Sequence, residues 1–207
     1  MLLTSTADTT FESAARSFAG LVRRIPDTAW DGPGLGDWDL RALVGHASRS
    51  LITVSTYLHT QADREDVTTP QAYYVQIADY ATKAGAEAIT ERGRQAGRDL
   101  GADPVGTIDG LIERVMSELA AAGEPLIEVI GGLGIRLHTY LPTRTFELAV
   151  HGLDIARAAG LSFELPTDVL EEATVLAAKI GVATGRGDTL LMSLTGRETL
   201  PPSFTVV

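Results

Sequence analysis

Apolar side chains recur along this chain at helical spacing, with one short exception. Phe11, Ala14, Ala15, Phe18, Leu21, Val22 and Ile25 predict a helix over about residues 9–25, ended by Pro26. The stretch PDTAWDGPGLGD, rich in Gly, Pro and Asp, reads as a loop. Asp37 or Asp39 then caps a second helix that runs to about residue 60, with Leu40, Leu43, Val44, Ala47, Leu51, Val54 and Leu58 on its apolar face. A third, Ala-rich helix is expected over roughly 70–98, a fourth from Pro104 to about Gly123, a fifth starting near 137–142, a sixth over 167–184 and a short one in DTLLMSLTGR. The exception is LIEVIGGLGIRLH. Its two short apolar runs around Gly131 and Gly132 fit a small β-hairpin near 126–136, or else a flexible lead-in to the fifth helix. Long amphipathic helices with short loops imply a mainly all-α fold, a helical bundle forming one domain over 1–207.

The fifth helix breaks the simple inside-apolar, outside-polar rule. In RTFELAVHGLDIARAAG, Glu147 and His151 lie four apart and share a face. Arg144 and Asp154 extend them into one polar stripe. Leu141, Leu148 and Ile155 flank that stripe on one side and Val150 and Leu153 on the other, so the stripe is expected to face inward. Burying a carboxylate, an imidazole and a guanidinium is costly unless they are paired or bind a metal. His46, at the edge of the second helix's apolar face and followed by Ser50, Thr53 and Tyr57 on one polar line, is the best third ligand. Three N/O ligands suit Zn²⁺ with an open position, and Ni²⁺ or Fe²⁺ accept the same set. Spacing alone equally permits a surface Glu–His pair and a hydrogen-bonded core histidine. Arg144 has two readings, a structural ion pair with Glu147 or Asp154, or a bidentate clamp on a substrate carboxylate. Asp154 is a candidate to orient His151.

Composition narrows the partners. The net charge of −10 argues against nucleic acid and against anionic membrane surfaces. No apolar run reaches the length of a membrane span, and MLLTSTADTT lacks the layout of a signal peptide, so a cytoplasmic location is expected. The chain has no cysteine, so any thiol chemistry needs a thiol from outside. A homodimer is compatible with the sequence and not specified by it.

The residues already singled out also carry a family resemblance. Trp38-Asp39-Leu40-Arg41-Ala42-Leu43-Val44-Gly45-His46 resembles the W-x-x-x-x-L-x-x-H pattern of the mycothiol-dependent maleylpyruvate isomerase family, within the wider DinB-like group. The run from Arg144 to Ile155 is similar to its R-x-x-E-x-x-x-H-x-x-D-[IL] motif, and the two motifs occur in the family's order. The resemblance implies a DinB-like four-helix up-and-down bundle with extra short helices. It further implies a divalent metal, usually zinc, held by His46, Glu147 and His151, and mycothiol as thiol cosubstrate for isomerisation of, or S-transfer to, a small electrophile. Arg197, in LLMSLTGRETLPPSF, is a further candidate for binding a cofactor or substrate anion. The rival reading from another class is a non-catalytic metal- or ligand-binding bundle with a regulatory role.

Overall fold

A computed structural model describes residues 5–207, with residues 79–84 and 86 described by their backbone alone. Among the described residues eight α-helices and one two-stranded sheet follow in the order α1 (Thr6–Val22), α2 (Leu40–Tyr57), α3 (Pro70–Ala84), α4 (Ala86–Asp99), α5 (Pro104–Ala122), β1 (Leu126–Val129), β2 (Leu133–Arg136), α6 (Leu137–Ala158), α7 (Thr167–Ala183) and α8 (Gly187–Leu194). The expected all-α fold with a small hairpin is therefore present.

Local chemistry explains where the helices begin. Ser5 and Asp8 form a reciprocal capping box on α1. Asp39, the second of the two expected caps, accepts from the Ala42 amide at 2.7 Å. Asp103 caps α5, with Pro104 in the first turn where its missing N–H is harmless. One helix expected over 70–98 is two. Gly85 takes φ +79°, a left-handed conformation that interrupts the α-helical run, and apolar periodicity does not register it. The second helix stops at Tyr57 because Thr60 leaves it to bind the hairpin: its hydroxyl lies 2.8 Å from the Glu128 carbonyl and 3.2 Å from the Glu128 amide. In the hairpin Ile127 faces Ile135 across an antiparallel pair, and Gly131 and Gly132 supply the positive φ of the turn. Asp66 and Val67 donate their amides to the Gly134 carbonyl, fastening the α2–α3 loop to the strand that precedes α6.

Helices α1, α5, α2 and α6 close a four-membered ring in which each packs against two of the others, while α4 lies on α2 and α7 on α6. Phe11, Phe18, Leu43, Leu51, Ile108, Val115, Leu141, Leu148 and Ile155 fill its interior and are almost fully buried. Val150 and Leu153, expected to flank the polar stripe of α6 on its buried side, are instead 37% and 42% exposed. The stripe thus lies along the rim of the core, facing the groove shared with α2 and α3. Among the described residues no helix is long and apolar enough to cross a membrane.

The crossing of α2 and α4 is tight enough to exclude side chains. A methyl group on Gly45 would meet the Ala96 carbonyl carbon at 2.5 Å, and one on Gly97 would meet the Ala42 Cα at 2.9 Å. Relieving such overlap requires backbone movement, which in a packed core costs about 1–3 kcal/mol. Gly45→Ala is therefore expected to lower the melting temperature by several degrees in thermal circular dichroism. Gly110→Ala, in an exposed part of α5 with open space around the new methyl, is expected to raise it slightly.

Candidate metal centre

The two helices that carry the sequence motifs face one another at the candidate site. His46 comes from α2, and Glu147 and His151 from successive turns of α6. One ligating atom from each of the three lies within 4.8 Å of the others. The imidazoles of His46 and His151 meet edge to face with centroids 4.9 Å apart. Nε2 of His151 is 3.4 Å from Oε2 of Glu147, and its Nδ1 is 3.3 Å from Asp154 Oδ2. Asp154 therefore sits where it fixes the ring and leaves Nε2 for the cluster, the arrangement expected of a carboxylate behind a metal-binding histidine. Trp38, the first residue of the first motif, stacks on His46 at 4.5 Å and donates its indole N–H to the Thr90 carbonyl at 2.9 Å.

The side chains fit a divalent ion. Nδ1 of His46 is buried and has no hydrogen-bond partner among the described residues. A stranded imidazole nitrogen of this kind destabilises a fold unless something binds the site. Ligand atoms about 2.0–2.2 Å from one tetrahedral Zn²⁺ are about 3.3–3.6 Å apart, so atoms within 4.8 Å of one another reach a shared ion by an inward adjustment of up to about an ångström. Two imidazoles and a carboxylate leave coordination positions free for another molecule.

The charge states follow from the surroundings. Burial, reinforced by the positive charge on His151, lowers the pKa of His46 to about 4, so its imidazole is neutral at pH 7. Burial works against the cation of His151, but Asp154 and Glu147 outweigh it and raise its pKa to about 9. Burial likewise disfavours the Glu147 carboxylate, yet the hydrogen bond from His151 and the charge of Arg144 hold its pKa down at about 2. The metal-free cluster at neutral pH is thus a neutral imidazole beside a His151–Glu147 ion pair.

A cavity of about 180 Å³ opens beside the cluster, lined by His46, Ser50, Thr53 and Tyr57 of α2 and by Tyr140, Arg144 and Glu147 of α6 among others. The polar line expected on α2 is therefore one wall of this cavity. Arg144 is stacked rather than ion-paired. Its guanidinium lies over Tyr140 at 4.9 Å and Tyr73 at 5.4 Å, and its Nε donates to the Thr143 hydroxyl at 3.0 Å. Among the described residues its Nη groups make no hydrogen bond and no carboxylate lies within ion-pair distance. Arg49 and Arg92 line the same cavity, so three guanidiniums face one carboxylate there although the chain as a whole is strongly acidic. Arg197 lies on an exposed turn after α8, where it donates to the Thr195 carbonyl at 3.1 Å, and it is not part of the cavity wall.

Several site residues escape sequence reasoning. Tyr74 of α3 reaches Glu147 Oε1 at 2.9 Å, and Arg49, Arg92 and Tyr73 complete the cavity wall. Burial and the neighbouring Glu147 carboxylate push the Tyr74 phenol well up, so it is a donor at neutral pH. None of these residues falls in a spaced motif.

A helical bundle that places a His/Glu/His cluster between two helices, beside a cavity lined by three arginines, offers a candidate metal site with room for a small ligand. The family model described as mycothiol maleylpyruvate isomerase N-terminal domain matches residues 11–156, well over half of the chain, and the chain belongs to this family. The match takes in His46, Glu147 and His151 and stops before α7 and α8. No curated protein and no solved structure matches the chain.

A metal bound through His151 would have to displace the proton that this residue carries up to a pH of about 9. Binding at pH 7 is therefore expected to release about one proton per ion, with affinity rising about tenfold per pH unit towards pH 9. Titration calorimetry in buffers of different ionisation enthalpy measures this directly, and a flat affinity over that range would remove His151 from the ligand set. His46→Ala and His151→Ala are expected to lose stoichiometric metal in elemental analysis.

Proposed function

We propose that the chain is a divalent-metal, thiol-dependent enzyme that joins mycothiol to a small anionic electrophile, in isomerisation or S-transfer. The observation that carries this reading is the cavity itself, in which the His46, Glu147 and His151 cluster meets an arginine whose Nη donors have no hydrogen-bond partner among the described residues. Zn²⁺ held by these three residues would stabilise the thiolate form of a thiol that reaches it. The absence of cysteine is consistent with a thiol supplied by a cosubstrate.

The remaining work falls to the chain's own side chains. Arg144, its faces covered by Tyr73 and Tyr140, presents Nη donors suited to bidentate capture of a carboxylate. Arg49 and Arg92 add positive potential that draws an anion into the cavity against the acidic background of the chain. The hydroxyls of Ser50 and Thr53, and that of Tyr140, which is 3.1 Å from the Thr53 hydroxyl, offer neutral hydrogen bonds to the uncharged part of a ligand. Arg197, outside that wall, has no part in this reading.

The test is turnover. Zinc-loaded protein is incubated with mycothiol and a panel of carboxylate-bearing electrophiles, and thiol consumption and product mass are followed by mass spectrometry. Arg144→Met is expected to lower kcat/KM by roughly 10–100-fold, the loss of a charge-assisted bidentate contact, while leaving metal content unchanged. Full metal occupancy with no consumption of any thiol would instead favour a non-catalytic metal- or ligand-binding bundle.

A further inference from the structure

The metal ligand Glu147 has two oxygens in different surroundings. Oε2 faces His151 Nε2 at 3.4 Å. Oε1 turns away from the histidines and accepts from the Tyr74 hydroxyl at 2.9 Å. Among the described residues His151 on Oε2 and Tyr74 on Oε1 are the hydrogen-bond donors to this carboxylate, and Oε1 has Tyr74 alone. The Tyr74 hydroxyl also lies 3.1 Å from the Thr143 carbonyl, one turn before Glu147 on α6, so a single phenol grips both the helix and the ligand it carries. The phenol has little freedom to move. Its ring makes edge contacts with Tyr73 at 5.7 Å and Phe146 at 5.4 Å, and the residue is 9% exposed.

We propose that Tyr74 is a positioning residue for the metal centre: by occupying Oε1 it makes Glu147 a ligand through Oε2 alone and keeps one coordination position open for a substrate. The inference rests on the metal reading of His46, Glu147 and His151 and adds to it a residue from a third helix. A carboxylate ligates through one oxygen or two, and the choice decides how many positions remain for other molecules. Without the Tyr74 hydroxyl, Oε1 would be a buried anionic oxygen with no donor. Its nearest compensation would be the metal, and chelation through both oxygens would fill the position a thiol needs. Tyr74 thus ties α3 to the chemistry without touching substrate.

The test compares wild type with Tyr74→Phe, which keeps the ring and removes the hydroxyl. Zn²⁺ affinity is measured by chelator competition, and coordination is read from the visible spectrum of Co²⁺-loaded protein, with and without added mycothiol. Tyr74→Phe is expected to bind one ion with affinity changed by roughly 10–100-fold. It is also expected to show a weaker visible Co²⁺ band, as a higher coordination number gives, and a smaller spectral response to the thiol. On a Glu147→Ala background the same substitution is expected to have no further effect on affinity, whereas a merely structural role would persist there. Unchanged affinity and spectrum in Tyr74→Phe, or an equal effect on the Glu147→Ala background, would overturn the role of Tyr74 alone. Absence of metal binding in wild type would overturn the metal reading and this inference together. Carbon-13 NMR of the tyrosine Cζ atoms in the unaltered chain is independent of how any variant folds. The Tyr74 resonance is expected to shift as Zn²⁺ is added, and a resonance that does not move would also overturn the proposal.

Discussion

The backbones of α2 and α4 touch at Gly45 and Gly97, and the rest of the site is referred to that contact. No side chain separates the helices there, so neither can rotate or slide without a clash. His46 is the next residue after Gly45, and its direction is set with the crossing. Gly93, one turn before Gly97, leaves room for the Trp38 indole, where a methyl group would stand 2.6 Å from the ring. Trp38 in turn stacks on His46 and anchors to Thr90 of α4. Arg92, beside Gly93, is delivered to the cavity by the same helix. Three small residues thus hold one imidazole, the aromatic wall behind it and one of the cations that face a ligand.

Electrostatics divides the two histidines that this packing brings together. For His46, burial and the neighbouring His151 cation together outweigh the Glu147 carboxylate and keep it neutral, while His151 has carboxylates on both ring nitrogens and stays charged. The cluster therefore stores an unsatisfied nitrogen next to a protonated one. Such an arrangement is poor for a resting core, because both features disfavour burial. It suits a site in which a cation replaces the proton, since the lone pair of His46 is already available and Asp154 is already in place behind His151. The cavity beyond continues the division, with arginines and tyrosines sharing a small space with the single carboxylate of Glu147.

Much of this was legible from spacing. Glu147 and His151 at i and i+4, with Asp154 three further on, announce a shared face whatever surrounds them. His46 at the head of a line of small polar residues announces a second wall. What spacing could not convey was which side of α6 is covered, and Val150 and Leu153 misled for that reason: apolar residues at a helix edge look the same whether or not another element packs on them. The break at Gly85 was hidden because one glycine in an Ala-rich run changes the backbone without changing the apolar period. Tyr74, Arg49 and Arg92 belong to the site only through the way α2, α3 and α4 are stacked, and that stacking depends on glycines whose sequence gives no hint of their partners.

The distance along the chain between His46 and the α6 pair has a thermodynamic consequence. About a hundred residues separate them, and the α2–α3 loop and the hairpin that lie between are themselves joined by the Asp66 and Val67 amides on Gly134. An unfolded chain keeps at most the local Glu147–His151 pair and loses the third donor altogether. A divalent ion bound by all three would therefore discriminate strongly between folded and unfolded forms. Its free concentration would become a determinant of how much of the protein is folded, worth about 2.7 kcal/mol at a hundred times the dissociation constant.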